Sequence, residues 1–178
     1  MMDLTRLETG KLALDLAPSD LSEIIARVIA MMSSNAEDKG VTLDQRVSES
    51  LPLVDMDAGR IAQVLSNLMG NAIKFTPRGG CVRLSTRVQE NGLVQVRVSD
   101  SGCGIPKADL ENVFDRLFQV ESARMMDSQS GLGLGLSIAR EIIRGHGQTL
   151  TANSRVNRGS VFTFSLVASA AQTLDRAA

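Results

Sequence analysis

Asn67, Asn71 and Lys74 stand at positions i, i+4 and i+7 of one predicted helix and therefore share a face. Two carboxamides and an ammonium at this spacing can hold a hydrated Mg²⁺ and the phosphates that it bridges. Carboxamide oxygens are hard, neutral ligands, and Mg²⁺ takes few ligands from the protein itself. The same spacing is also typical of a solvated polar surface, so the pattern alone leaves both interpretations open.

Asp100 ends a predicted strand and is followed closely by Gly102 and Gly104. A carboxylate in this position can accept a hydrogen bond from an exocyclic amine, while the glycines allow the backbone to close around a flat ring. A turn that needs positive φ accounts for the glycines equally well. The segment therefore predicts either a base-binding site or a simple turn.

A glycine-rich run, residues 130–136, leads into another predicted helix. Backbone N–H groups at a helix N-terminus favour phosphate, particularly when glycines allow close approach. The run is not a dinucleotide-binding fingerprint, because Leu136 fills the third small position, and no P-loop Lys-Ser/Thr pair follows it. It predicts a phosphate-binding loop, with a flexible turn as the alternative.

For the other residues with reactive side chains, the sequence predicts structural roles. His146, the one histidine of the chain, lies between two glycines just past a predicted helix, which favours a helix-stop residue over a phosphoacceptor or a base. Cys103 has no adjacent base and is predicted to fill a glycine turn. Met125 and Met126 are predicted to pack within a loop.

The composition of the chain argues against several classes of binding partner and cellular location. The chain has 178 residues, a net charge of −1, and neither Trp nor Tyr, so charge and base stacking both argue against nucleic acid. Two cysteines cannot build a disulfide framework, which favours a reducing compartment. Because the sequence contains no membrane-length apolar run and no signal peptide, we expect a cytoplasmic chain without a membrane segment.

Hydrophobic periodicity supplies the elements that position these residues. Helical spacing predicts four helices, over residues 20–40, 57–75, 107–114 and 136–144. Alternating patterns predict six strands, over residues 41–47, 51–54, 82–88, 93–99, 148–154 and 160–167. Asn91 and Gly92 predict a hairpin between the two central strands. Helices that alternate with strands around a hairpin favour an α+β fold with a mixed sheet over a doubly wound one.

In this order the motifs resemble the ATP-binding domain of bacterial sensor histidine kinases, in the superfamily that includes gyrase, Hsp90 and MutL. The matching segments are 67–76 (N box), 100–105 (first glycine box), 114–118 (F box), 131–136 (second glycine box) and 157–164 (last box). Each box alone is weak, but five in order at compatible spacing are specific. The resemblance covers roughly residues 16–167.

The resemblance implies a two-layer α/β sandwich. A mixed five-stranded sheet would carry three main helices on one face, with a mobile ATP lid over residues 120–130. It also divides the chain into three parts. These are the end of a dimerisation helix and its linker (1–17), the ATP-binding domain (18–167) and a C-terminal tail (168–178).

The resemblance implies a role for each residue of this chain that matches a functional position in the family's motifs. Asp100 is implied to bind the adenine amino group, Asn71 to coordinate Mg²⁺, and Lys74 to meet phosphate as a catalytic residue. Asn67 is implied to be catalytic near the phosphates. It stands where ATP-hydrolysing relatives carry a Glu base, so transfer to histidine is expected rather than hydrolysis. The remaining implied nucleotide-binding residues are Gly102, Gly104, Ile105, Gly131, Leu132, Gly133, Leu134, Gly135 and Leu136.

The chain departs from the family pattern without losing a core ligand. Four departures lie in or near the glycine boxes, at Ser130, Leu132, Gln148 and Asn157. Gln119 stands where arginine is frequent, which leaves Arg116 or Arg124 to stabilise the γ-phosphate; Arg116 is taken as the third catalytic residue.

The activity that the resemblance implies is that of a protein histidine kinase in two-component signal transduction. The chain would bind Mg-ATP and pass its γ-phosphate to a histidine on the dimerisation domain of the same, homodimeric kinase. A response regulator receiver domain would take the phosphate next in this phosphorelay. We expect a catalytic fragment whose parent can be membrane-anchored. The alternative is a degenerate nucleotide- or ligand-binding regulatory module without phosphotransfer.

Overall fold

The helices begin and end at the cap residues that the sequence supplies. Helix α1 spans Leu21–Lys39, α2 spans Ala58–Phe75 and α3 spans Gly135–Gly145. The Asp20 carboxylate accepts a hydrogen bond from the Ser22 N–H at 2.7 Å and caps α1, and Gly40 ends that helix in the left-handed conformation. Asp57 caps α2 in the same way, through the Arg60 N–H. The computed structural model describes residues 13–118 and 133–170.

Within residues 13–118 and 133–170, five strands form one mixed sheet, and two further strands form a small separate one. The strands are β1 (Ala17–Ser19), β2 (Thr42–Arg46), β3 (Val54–Met56), β4 (Cys81–Val88), β5 (Leu93–Asp100), β6 (Thr151–Arg155) and β7 (Gly159–Val167). The large sheet has the order β2-β4-β5-β7-β6. Strand β2 is parallel to β4, and the other pairs are antiparallel. Strand β1 pairs antiparallel with β3.

The core lies between one face of the sheet and the three helices. In β4 and β5 the side chains of Leu84, Val94 and Val96 are fully buried, while their strand neighbours Arg87 and Arg97 are exposed. Helix α2 packs against α1 on one side and α3 on the other. This arrangement confirms the predicted two-layer α+β fold with a mixed five-stranded sheet and three main helices. No helix within the described ranges is long and apolar enough to cross a membrane.

Three local predictions differ from the structure. Residues 107–114 form consecutive turns instead of a helix, because so short a segment gains little from helical bonds while Val113 and Phe114 are buried. The strand predicted over 51–54 lies at Val54–Met56, where β1, which was not predicted, pairs with it. The start of the predicted tail is bound to the domain, since the Ser169 N–H donates to the Leu53 carbonyl at 2.7 Å.

Candidate functional site

Helix α2 presents the predicted metal and phosphate residues beside its buried stripe. The side chains of Asn67, Asn71 and Lys74 are all half-buried. Asn67 Nδ2 donates a hydrogen bond to the Gly135 carbonyl at 3.1 Å, which ties the middle of α2 to the first residue of α3. The Asn71 carboxamide has no hydrogen bond with any described residue and is available to a ligand. The three residues therefore lie on one helix as their spacing predicts, and Asn67 faces α3.

Asp100 is held at the end of β5 by one of its two oxygens. Its Oδ1 accepts hydrogen bonds from the Gly102 N–H at 2.8 Å and from the Ser160 N–H at 3.2 Å. Within the described ranges, Oδ2 receives no hydrogen bond. Burial raises the pKa of the Asp100 carboxyl, and the two backbone donors partly oppose that shift. The carboxylate is thus oriented by the protein and keeps one acceptor for a ligand.

The glycines after Asp100 allow close contact with the end of α2. A Cβ on Gly102 would lie 2.5 Å from the Phe75 carbonyl oxygen, and the Cys103 N–H donates to that same oxygen at 3.3 Å. Gly104 has φ +71°, and a Cβ there would overlap the Arg155 carbonyl. Both glycines are needed for close approach, and Gly104 also for its left-handed backbone.

The described part of the second glycine box meets the end of the F box. Gly133 has φ +67°, and its carbonyl accepts a hydrogen bond from the Leu117 N–H at 3.2 Å. Leu117 itself has positive φ (62°) and is 63% exposed. Leu134, the N-cap residue of α3, makes no side-chain capping hydrogen bond, so the first backbone N–H groups of that helix remain for a ligand.

Not every predicted residue joins this region. Ile105 is held near it, since its N–H donates to Ser154 Oγ at 2.8 Å. Arg116 is exposed and forms no ion pair with a described residue. Gly131 and Leu132 lie outside the described residues, as do the predicted lid over 120–130 and Arg124.

A cavity of about 870 Å³ adjoins the site at the C-terminal ends of α1 and α2. Residues 101–103 and Asn157 close its other side. Lys39 of α1 donates to the Ile73 and Lys74 carbonyls at the end of α2, where the last carbonyls of a helix lack partners within it. The Ile73 carbonyl also accepts from the Thr76 N–H at 3.4 Å. The Lys74 ammonium lies 5.5 Å from the centroid of the Phe75 ring.

Sequence reasoning missed the residues that support the site. Ser160 orients Asp100, Ser154 holds Ile105, and Lys39 secures the end of α2. The sequence does point to Ser160, because this residue follows the glycine of the last box. For Lys39 the sequence offers only the general preference for cations in the last turn of a helix.

The two side chains assigned structural roles occupy such positions. His146 is buried directly after α3, as expected of a helix-stop residue. Burial raises the pKa of the Cys103 thiol, and the nearby Asp100 charge raises it further. A thiol kept protonated at neutral pH is a poor nucleophile, which agrees with its predicted role as a small filler.

Comparison with known proteins assigns the chain to a family. Residues 56–170 match the family described as histidine kinase-, DNA gyrase B- and HSP90-like ATPases. The match covers more than half of the chain, which therefore belongs to this family. The prediction of a histidine-kinase-type ATP-binding domain is confirmed at the level of the family.

Two curated proteins that are similar to this chain are sensor kinases. The chain is 39% identical over 147 residues to the sensor histidine kinase WalK of Bacillus subtilis, covering 79% of this chain and 24% of WalK. It is 33% identical over 166 residues to the adaptive-response sensory kinase SasA of Synechococcus sp., covering 93% and 43%. The chain therefore spans less than half the length of these relatives.

Solved structures share the fold over most of this chain. Full-length ShkA in complex with AMPPNP superposes with a TM-score of 0.81 at 30% identity, covering 93% of this chain and 34% of ShkA. The catalytic domain of histidine kinase ThkA gives 0.75 at 29% identity, covering 86% and 96%. The chain thus corresponds to nearly the whole of one isolated catalytic domain.

Proposed function

We propose that this chain is the catalytic domain of a sensor histidine kinase. It binds Mg-ATP and transfers the γ-phosphate to a histidine on a dimerisation domain of the same homodimeric kinase, in the cytoplasm. A response regulator receiver domain is the next acceptor. The observation that carries the proposal is Asp100, a carboxylate oriented through Oδ1 with Oδ2 left for a ligand. The loop that follows it packs against the Phe75 carbonyl at the end of α2, the helix that carries Asn71 and Lys74.

Adenine recognition follows from the arrangement around Asp100. The exocyclic amine of adenine donates hydrogen bonds, whereas guanine presents a carbonyl at the equivalent position, which an ionised carboxylate repels. Because Oδ1 is already bonded twice, Oδ2 is the acceptor for the base. Gly102 and Gly104 allow the loop to close beside it without steric conflict.

The donors on α2 suit a metal that is bound mainly through phosphate. The described residues contain no group of three His, Cys, Asp or Glu side chains able to hold a metal ion. The Asn71 carboxamide is a single hard ligand, as Mg²⁺ requires when triphosphate oxygens and water complete its shell. Magnesium would supply charge neutralisation on the phosphates, with Lys74 and the N-terminus of α3 adding to it.

The site favours transfer over hydrolysis because it lacks a base for water. Asn67 cannot accept a proton from water, and its Nδ2 is already bonded to the Gly135 carbonyl. His146 is buried and bonded through both ring nitrogens, so it cannot receive the phosphate. The acceptor must therefore come from another domain. Histidine kinase ThkA has been seen in complex with the response regulator TrrA, which supports the proposed next partner.

Phosphotransfer from γ-labelled ATP tests this proposal. The chain is incubated with Mg²⁺, labelled ATP and the dimerisation domain of its own parent kinase, and acid-labile label is measured on that domain. We expect label with the native chain and none with Asn71→Ala. Label absent with the native chain, together with measurable ATP binding, would favour the regulatory module instead.

A further inference from the structure

His146 is a buried imidazole that phosphotransfer does not use. It follows α3 directly, and only 9% of its surface is exposed. Its Nδ1 lies 2.7 Å from the Ile142 carbonyl oxygen of its own helix. Its Nε2 lies 3.1 Å from the backbone nitrogen of Asp57, which is 89 residues earlier and caps α2.

The chemistry of these two partners determines the tautomer. A carbonyl oxygen only accepts, so Nδ1 must carry the proton. The Asp57 backbone N–H only donates, so Nε2 must present its lone pair. The ring is therefore neutral, with one nitrogen acting as donor and the other as acceptor. The bond at Nε2 satisfies the Asp57 N–H, which α2 itself leaves unpaired, whereas the Ile142 carbonyl also accepts from the His146 backbone N–H at 3.2 Å.

The imidazole joins two antiparallel helices at the end that lies away from the nucleotide residues. The start of α2 meets the end of α3 at His146, and the middle of α2 meets the start of α3 at the Asn67–Gly135 hydrogen bond. Between these two bonds the helices pack against each other through their apolar faces. The predicted phosphate residues lie beside the second bond, on α2 and on the first turn of α3.

We propose that His146 is a positioning residue for nucleotide binding. By accepting from Asp57, Nε2 holds the end of α3 against the start of α2, and this contact sets the gap between the two helices at Asn67 and Gly135. The inference rests on the proposed function, because it treats that gap as part of the nucleotide site. It concerns the acceptor at Nε2 specifically, not merely the presence of a buried side chain.

Two carboxamide variants separate the two bonds of the ring. In His146→Gln the amide oxygen reaches the position of Nε2 and can accept from Asp57, but the bond to Ile142 is lost. In His146→Asn the amide nitrogen occupies the position of Nδ1 and can donate to Ile142, but nothing reaches Asp57. Both variants remove the ring and keep an amide, so they form a matched pair.

Calorimetric titration with ATP and Mg²⁺ reads out affinity. We expect His146→Asn to weaken binding by roughly threefold to tenfold, the net effect of one intramolecular hydrogen bond, and His146→Gln to stay within about twofold of the native chain. Equal losses in the two variants, or a loss confined to Gln, would overturn the proposal. Far-UV circular dichroism verifies that both variants are folded at the titration temperature.

Amide hydrogen exchange tests the same inference without nucleotide. In His146→Asn, exchange should increase at the Asp57 amide and also at amides in the first turn of α3, while His146→Gln remains close to native. If only the Asp57 amide changes, the bond is local and His146 does not position the site. If the native chain fails to bind ATP but shows this exchange pattern, the proposed function fails while the coupling between the helices stands.

Discussion

Asp100→Asn tests base recognition while keeping the orientation of the side chain. An asparagine oxygen can still accept from Gly102 and Ser160, but an amide nitrogen replaces Oδ2 and would face the adenine amine donor to donor. We expect ATP affinity to fall roughly tenfold to hundredfold, the effect of losing a hydrogen bond to a charged group. Titration calorimetry measures the ratio of the two ATP affinities, and an unchanged affinity would show that Asp100 does not bind the base.

The same variant should stabilise the fold at neutral pH. Burial raises the pKa of Asp100, so the native chain is most stable when this carboxyl is protonated, and that stability is lost as pH rises through the raised pKa. An asparagine at this position does not ionise, so the variant does not lose stability in this way as the pH rises. The free energy of unfolding in urea should therefore be higher for the variant at about pH 7, with the difference vanishing below the ordinary Asp pKa of 3.8. If the variant is less stable than the native chain at neutral pH, its weaker ATP binding is explained by damage to the fold.

Asn71→Ala separates a metal ligand from a general contact to nucleotide. If the carboxamide binds Mg²⁺, affinity for Mg-ATP should fall by about tenfold or more, while affinity for metal-free ATP changes little. Calorimetry with Mg²⁺ and with a chelator gives both values. Asn153→Ala, on the exposed face of β6, is the control and should change neither. Equal losses in the two conditions would mean that Asn71 does not act through metal.

The junction of β5 and β7 depends on a residue without a side chain. Gly159 has φ +93°, and a Cβ there would overlap the Asp100 carbonyl oxygen. Gly92 has φ +77° in the hairpin, and a Cβ there would meet no described atom within 4 Å. Gly92→Ala should therefore cost only the backbone strain, about 1–2 kcal/mol in urea unfolding, and Gly159→Ala about 2–5 kcal/mol.

The two glycine variants should also differ in function. Displacing β7 at Gly159 moves the Ser160 N–H away from Asp100, so ATP affinity should fall at temperatures where the variant is still folded. Gly92 lies at the other end of β5, and its variant should bind ATP normally. Comparable stability losses for the two would mean that the sheet accommodates a methyl group at Gly159.

The chain by itself is expected to bind ATP without phosphorylating itself. Its one histidine is buried, with both ring nitrogens bonded, and Asn67 is no base for water. Incubation with γ-labelled ATP and Mg²⁺ should leave the chain unlabelled, and release of ADP should be slow. Acid-labile label that disappears in His146→Gln would show that the histidine is an acceptor after all.

Much of this molecule is determined by short stretches of sequence. Asp20 and Gly40 bound α1 through contacts with residues two to four positions away, and the Asn91-Gly92 pair provides the hairpin turn. The glycine boxes and the α2 face are equally local, so their residue types could be interpreted without coordinates. Cap and turn chemistry acts within a few residues, which is why the predicted bounds of α1 and the predicted hairpin match the structure.

The tertiary structure alone decided which distant groups meet. Nothing local to residues 17–19 predicts a strand, because β1 exists only through its pairing with β3. The Asn67–Gly135, Asp100–Ser160 and Asp57–His146 contacts join residues 60 to 89 positions apart. A helix-stop histidine has the same local sequence whether or not its second nitrogen finds a partner. That partner is fixed by how α2 and α3 pack, a property of the assembled core and not of any segment.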